Sequence, residues 1–583
     1  MNLFSLQNIS YEINDKLILN NLNMHIVENK LTCILGKSGA GKTTLLSLLA
    51  GRILKGDITG NLKVGINNFD KKRIKRKIAY VKQKDIMSDN LTVFELINLC
   101  ANLKINTTKG EIKNKVDEII NILDLNECKN VIIGNDMNKG ISGGQKKRVA
   151  IALELIHDPD IIFLDEPTSG LDTYNAYNVM KILNFLSLKN KTIITILHQP
   201  ASEIYNLIDY LIVLDNGKCC YSDKQELFIP YLKSLNFNCP IYTNPTDYLF
   251  MEILNSEDNV KQMIINNNIE FTPNSICLDC NVTQPKTFLQ LSRILFKRRL
   301  QEIYRNKRAF KTKIYQSIFL SIIIALIYQG LDTSQESVQN RIGLLFFLSM
   351  QIFMSAVYGS IHLFYADKIV FKREYDSQWY TLSSYFLTRC ISEIPVSILN
   401  SLILSTIIYF AVGLHNTFIR YIIFTAIISF CTLCGNGFGF LIGTIFSRLE
   451  IGLAVSPAII VPILLFSGLF QNINSIPIYL SWIKYISPIQ YSFNSLAQNE
   501  FTGLEFNCNS TQKDCLYENG EDVLNYLNFN ELSISINILI MFVIYCVLMV
   551  LSYLFLKRSV LKRAYNPYKG LNTDNHSTKI SMV

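Results

Sequence analysis

A chain of 583 residues is too long for one hydrophobic core and leads us to expect three or four units of ordinary size. Lys and Arg outnumber Asp and Glu by 56 to 47, a formal net charge of +9. That excess admits a nucleic-acid partner, but several runs after Lys313 are apolar over membrane-spanning length, so we assign it to membrane flanks and expect no nucleic acid. The opening MNLFSLQNISYEIND lacks a basic start followed by an apolar run, so insertion is expected at an internal span with the N-terminus cytosolic. Cys277 and Cys280 form a lone CxxC without a second pair or a nearby His, so no zinc site is expected.

In chain order, Leu3–Ile13 and Asn23–Val27 read as strands. The short apolar run Leu31–Leu35 then leads into Gly36-Lys37-Ser38-Gly39-Ala40-Gly41-Lys42-Thr43-Thr44 and an amphipathic helix. This is G-x-x-x-x-G-K-T between strand and helix, a phosphate loop. Its glycines let backbone N–H groups curl round phosphates, Lys42 reaches the β/γ oxygens, and the Thr43 hydroxyl serves Mg²⁺. By itself it names only a nucleotide-binding class. The run Lys71–Lys77 reads as a solvated basic face. Gln83 follows the strand Ile78–Gln83.

The most informative stretch is Ile141–Asp172, ISGGQKKRVAIALELIHDPDIIFLDEPTSGLD. Ser142-Gly143-Gly144-Gln145 opens a helix, where small residues and free N–H groups suit an anion. The buried-strand run Ile161–Glu166 ends in two carboxylates, and ligands of open α/β sheets bind at the carboxyl ends of strands. The adjacent acids Asp165 and Glu166 suit two jobs, one holding Mg²⁺ and one polarising a water. Ser169-Gly170-Leu171-Asp172 follows, and His198 ends another apolar strand in TIITILHQP.

The order of these pieces resembles that of the ATP-binding-cassette (ABC) ATPases: Walker A, Q-loop at Gln83, signature at Ser142–Gln145, Walker B, D-loop at Ser169–Asp172, and switch His198. The resemblance implies that Glu166 is the general base, that His198 stands near the γ-phosphate and that Gln83 touches Mg²⁺. It also implies that Ser142 and Gly144 contact the ATP of an opposite subunit, so one chain is half of a head-to-tail pair. Tyr11 lies where such proteins often stack an aromatic on adenine; as a strand residue it is equally a half-buried tyrosine.

Asn244–Leu254, NPTDYLFMEIL, resembles the segment closing the nucleotide domain in the G subfamily, and polar sequence follows to Gln284. The sequon Asn281-Val-Thr would be cytosolic and unmodified. Gln290–Lys313 is a basic amphipathic helix, read as lying against anionic lipid or, by resemblance, as the connecting helix before the first span. Spans read roughly as Ile314–Gln329, Gly343–Tyr365, Cys390–Val412, Tyr421–Phe446, Ile451–Phe470 and Ile534–Leu556. Basic residues between spans two and three, between four and five, and after the last mark the cytosolic side. The loop Gln471–Ser533 is mostly acidic, Glu500 included, and is expected outside. There Asn509-Ser-Thr is a usable sequon, and Cys508 and Cys515 share an oxidising compartment, where they either pair or stay as two thiols.

A nucleotide domain before six spans resembles the G subfamily of white-pigment, sterol and multidrug half-transporters. FKREYDSQWY (Phe371–Tyr380) and SWIKYISPIQYSFNSLAQNEFTG (Ser481–Gly503) carry the likeness further. It implies a gate at Leu469-Phe470, whereas the phenylalanine that clamps flat drugs falls on Ser355. The expected fold is an α/β P-loop NTPase (ABC ATPase) domain at 1–240 and a linker at 241–290. An all-α six-helix transmembrane domain follows at 291–565, with connecting helix 290–313 and external loop 471–533, then a cytosolic tail at 566–583. The expected function is ATP-driven export of an amphipathic or hydrophobic small molecule, a lipid, sterol or xenobiotic, with ATP and Mg²⁺. The chain would act as a homodimer or heterodimer in membrane lipid. The rivals are an obligate heterodimer moving a polar precursor and a membrane-anchored ATPase that regulates a partner.

Overall fold

The computed structural model describes residues 2–53, 55–65, 67–70, 77–135, 138–266, 286–415, 417–471, 477–506 and 516–561. Cys277, Cys280, Asn281, Cys508, Asn509, Cys515, most of the Lys71–Lys77 run and the tail lie outside them. The chain divides into two units. The first is built on Met1–Thr287 with Asp376–Trp379, the second on Phe288–Tyr375 with Tyr380–Leu561.

The first unit holds two sheets. Strands β1 (Asn2–Ile13), β2 (Lys16–Val27), β4 (Asp57–Val64) and β5 (Asn67–Asn68) form an antiparallel sheet in the order β2-β1-β4-β5. The second strand is longer than its apolar pattern suggests because Asn14 and Asp15, both at positive φ, make a two-residue hairpin turn from Ile13 to Lys16. The other sheet runs β10-β9-β3-β8-β7-β6, comprising β3 (Leu31–Gly36), β6 (Ile78–Val81), β7 (Ile161–Asp165), β8 (Thr192–Ile196), β9 (Tyr210–Asp215) and β10 (Lys218–Lys224). All but β10 are parallel, and β3, β6 and β8 are buried along their whole length. Continuous apolar runs are what a sheet covered on both faces requires. Phe4 of β1 meets Phe163 of β7 edge-on at 6.1 Å, within a core that joins the two sheets.

Five helices of this unit matter below: α1 (Lys42–Leu49), α2 (Val93–Lys104), α3 (Lys109–Ile122), α4 (Gly143–Leu155) and α5 (Thr173–Leu188). Thr92 and Thr108 start α2 and α3 with reciprocal capping boxes to Glu95 and Glu111. Just past α4, the His157 ring lies 3.4 Å from the Lys104 ammonium and 3.4 Å from the Ile78 carbonyl. Burial, reinforced by Lys104, pushes its pKa down to about 4. The unfolded imidazole, near 6.5, therefore takes up its proton first, and stability is lost as pH falls from about 6.5 towards 4. We predict that the unit loses up to about 2 kcal/mol by pH 5 through this group. Thermal melts at pH 7 and pH 5 check it: His157→Gln should show the smaller drop.

The second unit is helical: α6 (Phe288–Arg305), α7 (Lys307–Ile327), α8 (Gln335–Asp376), α9 (Leu382–Val412), α10 (Phe418–Ile445), α11 (Leu449–Leu465), α12 (Pro488–Phe501), α13 (Gly520–Leu527) and α14 (Ile534–Leu561). Five of them, α7 to α10 and α14, are long and apolar enough to cross a membrane. The expected fifth span, Ile451–Phe470, is instead the 17-residue α11, which contains Pro457 and Pro462 and ends at Leu465. At about 26 Å it stands at the lower limit for spanning the hydrocarbon core.

The expected connecting helix over 290–313 also needs correction. Helix α6 stops at Arg305, and Lys307–Lys313 already belongs to α7. Two of its cations face protein rather than lipid: Arg298 pairs with Glu302 and Glu374, and Arg299 with Glu302, Asp367 and Glu393. Arg293 and Lys297 remain exposed. Nor is Glu500 a solvated loop acid. It sits on the buried helix α12, pairs with the equally buried Arg341 of α8, and accepts the His415 backbone N–H at 3.0 Å. An unpaired charge there would be expensive, so this pair belongs to the packing of the helices.

Helices α8 and α10 approach closely because α10 carries glycines on the contact face. A Cβ at Gly435 would lie 2.7 Å from the Phe353 carbonyl, and one at Gly439 2.6 Å from that of Val357. Small residues are how apolar helices gain van der Waals contact where no water is displaced.

Candidate nucleotide site

Parallel pairing brings the carboxyl ends of β3, β6, β7 and β8 to one edge, and the predicted residues leave the strands there. Gly36 ends β3, Gln83 follows β6, Asp165 ends β7, and His198 lies two residues past β8. The loop from Gly36 to Gly41 has Gly36, Gly39 and Gly41 at positive φ. A Cβ at Gly36 would lie 2.1 Å from the Leu214 carbonyl, so β9 itself demands glycine there, whereas a Cβ at Gly39 would meet nothing within 4 Å. Ser38, Gly39 and Thr43 are exposed at the loop's open side, and Lys37, Ala40 and Thr44 are covered partly or wholly by it.

The Lys42 side chain starts α1 and turns back under the loop, 6 % exposed, donating to the carbonyls of Gly36 at 2.6 Å and Lys37 at 2.7 Å. Burial lowers its pKa, and Glu166 and Asp165 pull it back up. Asp165 accepts from the Thr43 hydroxyl at 3.3 Å, and its pKa is raised, first by burial. Glu166 is the centre of the cluster. One of its carboxylate oxygens accepts from the Gln83 amide at 2.6 Å, and the other lies 2.5 Å from His198 Nε2. Glu166 itself adopts φ +50°, strained for a side-chain-bearing residue, which turns its carboxylate out of the strand direction.

The signature residues form a second cluster. Ser142 caps α4 and exchanges hydrogen bonds with Gln145 in a capping box. Gly144 packs so that a Cβ would come within 2.8 Å of the Asn175 side chain, and a Cβ at Gly143 would stand 3.6 Å from Leu171. Asp172 in turn caps α5. The signature and the segment Ser169-Gly170-Leu171-Asp172 thus brace each other. Among the described residues no hydrogen bond joins either segment to the loop at Gly36–Thr44.

Tyr11 corrects one expectation. It is 5 % exposed in the core beneath β1, and its hydroxyl donates to the Lys55 carbonyl at 3.0 Å. A ring so covered has no face to offer adenine. Lys147 is a residue the sequence did not single out. Fully buried in α4, it donates to the Gln83 carbonyl at 2.9 Å and pairs with Asp85 at 2.9 Å, fixing the backbone from which the Gln83 amide projects. Its sequence signal is a position one helical turn past Gly144, within the basic run Gln145–Arg148.

The chain matches the family described as ABC transporter over residues 19–169, and that described as ABC-2 type transporter over residues 290–501. It is 31 % identical over 541 residues to the broad substrate specificity ATP-binding cassette transporter ABCG2 of Rattus norvegicus, covering 84 % of this chain and 81 % of that one. The chain belongs to the G family of ABC transporters. Similar relatives include the white protein of Drosophila melanogaster, 29 % identical over 560 residues with 91 % and 81 % covered. ABC transporter G family member 8 of Dictyostelium discoideum is 30 % identical over 534 residues, with 88 % and 83 % covered. This G-family half-transporter is therefore a membrane protein that binds ATP and couples its hydrolysis to transport.

In the membrane unit, Leu469 and Phe470 follow α11 in an irregular segment. Phe470 is exposed on one side and meets Phe346 of α8 edge-on at 5.4 Å, and Phe346 meets Phe493 of α12 at 5.5 Å. Ser355 is exposed on α8.

Proposed function

We propose that this half-transporter exports an amphipathic or hydrophobic small molecule, using two nucleotide sites that each draw on two chains. The carrying observation is the carboxylate of Glu166, held between the Gln83 amide and His198 beside a buried phosphate-loop lysine. Gln83 and His198 orient Glu166, which draws a proton from the attacking water. Lys42 exchanges its carbonyl partners for β/γ-phosphate oxygens, and the exposed N–H groups near Gly39 cradle the remaining charge. Thr43 and Asp165 offer the hard oxygens that suit Mg²⁺. When bound, Mg²⁺ neutralises charge developing on the phosphoryl oxygens.

Ser142 and Gly144 of the opposite subunit complete each site, which fits the absence, among the described residues, of hydrogen bonds from the signature to its own loop. Closure of the two sites reorients the spans, hydrolysis resets them, and Leu469-Phe470 gates the outer end. Both termini lie in the cytosol. A hydrophobic or amphipathic cargo follows from spans that offer few unpaired charges.

The test is ATP-dependent accumulation of radiolabelled cholesterol and of rhodamine in inside-out proteoliposomes. Accumulation that disappears in Glu166→Gln supports the reading. Sustained hydrolysis with neither probe moved overturns it in favour of a polar cargo or an anchored ATPase.

A further inference from the structure

The segment Asn244–Leu254 follows the last strand of the first unit and holds none of the residues placed in the nucleotide site. It opens as Asn-Pro, a helix start by residue type. Asn244 caps the short helix Pro245–Tyr248, and Pro245 takes a first-turn position that needs no N–H. Asn244 Oδ1 accepts the Thr246 N–H at 3.1 Å, and that bond fixes which way round the amide sits. The amide nitrogen is thereby turned to the Pro200 carbonyl, to which it donates at 2.8 Å. The Thr246 hydroxyl, fully buried, stands 3.2 Å from the same carbonyl and 2.9 Å from Asn244 Oδ1.

A capped turn bonded to one carbonyl is ordinarily packing and nothing more. This carbonyl, however, lies two residues past His198, and the residue between is strained. Gln199 adopts φ +35°, although it carries a side chain and precedes a proline, which pushes its neighbour towards extended backbone. Such a conformation persists only where its surroundings over-determine it. His198 and Gln199 are exposed, so burial does not hold them, whereas Pro200 is buried and its carbonyl is gripped. From this turn His198 Nε2 reaches Glu166 at 2.5 Å. The far end of the segment is anchored too: Leu249, Ile253 and Leu254 are buried. The Leu254 carbonyl also accepts from the Lys37 ammonium, so the grip on Pro200 is fixed relative to the phosphate loop.

We propose that Asn244 and Thr246 are positioning residues for ATP hydrolysis. Through the Pro200 carbonyl they hold the Gln199 turn and so keep His198 against Glu166. Neither touches a reacting atom. Their effect passes through His198, so it rests on the reading above that His198 orients Glu166, and it is independent of the cargo.

The experiment is steady-state phosphate release from the full chain in lipid nanodiscs, with kcat and KM for ATP read separately. Asn244→Asp keeps the helix cap but replaces the donor to Pro200 with an acceptor, and Thr246→Val removes the hydroxyl. Each should lower kcat roughly fivefold or more and leave KM within about twofold. Thr246→Ser, which keeps the hydroxyl, should restore the rate. Tyr231→Phe is the structural control, because it deletes a 2.9 Å bond to the Met263 carbonyl in the same unit, and its kcat should hold. His198→Ala is measured beside them. Unmodified turnover in His198→Ala removes the role of His198 and this inference with it. A slow His198→Ala beside unmodified rates in Asn244→Asp and Thr246→Val overturns this inference alone. So does an equal loss of kcat in Tyr231→Phe or Thr246→Ser.

Discussion

Glu166→Gln will retain ATP binding and hydrolyse ATP roughly 10²- to 10⁴-fold more slowly than the unmodified chain. The substitution keeps the shape of the side chain and an oxygen able to accept from the Gln83 amide, which stands 2.6 Å from the carboxylate. What it removes is the carboxylate that the proposed mechanism uses to draw a proton from water. His198 cannot substitute, because it meets the same carboxylate at 2.5 Å and is positioned by it. Lys42, the loop and Asp165 are untouched, so nucleotide affinity should not fall. Fluorescent-nucleotide binding and phosphate release, measured on the same preparation, separate the two quantities. Hydrolysis at the unmodified rate would remove Glu166 from the role of base.

Lys42→Ala is expected to fail one step earlier. The ammonium is 6 % exposed and satisfied by two carbonyls of its own loop, so it is held beneath the loop where the proposed site would place phosphate oxygens. Burial lowers its pKa while Asp165 and Glu166 support the charged form, and phosphates would support it further. Truncation leaves a buried anionic ligand short of a charge-assisted partner, which typically costs 2–5 kcal/mol, or roughly 30- to 5,000-fold in affinity. The expected result is loss of nucleotide binding at concentrations that saturate Glu166→Gln. Normal affinity in Lys42→Ala would contradict the placement of phosphate beneath this loop.

The candidate nucleotide site was legible because the chemistry proposed for it requires contiguous residue types. A phosphate loop needs glycines and a lysine at fixed spacing, and paired carboxylates must end a buried strand, so Gly36–Thr43 and Asp165-Glu166 declare themselves. Lys147 did not, because a buried lysine inside a helix has the same letters around it as a solvated one. Tyr11 was ambiguous for a related reason: strand alternation assigns a face but does not say that the folded core covers it.

In the membrane unit, hydropathy located the long helices but not their interruptions. The break at Asn306 and the end of α11 at Leu465 fall within stretches that a window average reads as continuous, and Pro457 and Pro462 inside α11 leave that average high. Arg341 and Glu500, 159 residues apart, meet only in the folded chain.

The most direct test of the two-chain site uses variants that fail for different reasons. Gly143→Asp should fold well, since Gly143 is exposed at the first turn of α4, its Cβ would stand 3.6 Å from Leu171, and an acid favours a helix N-terminus. In the proposed two-chain site it would nonetheless bring a carboxylate towards the phosphates of the opposite subunit. Phosphate release is measured from Lys42→Ala chains, Gly143→Asp chains and an equal mixture co-assembled in lipid. Each variant alone should be inactive, and the mixture should regain activity, because one of its two sites joins an intact loop to an intact signature. Hydrolysis by Gly143→Asp at the unmodified rate, or a mixture no more active than its parts, would contradict a site shared between two chains.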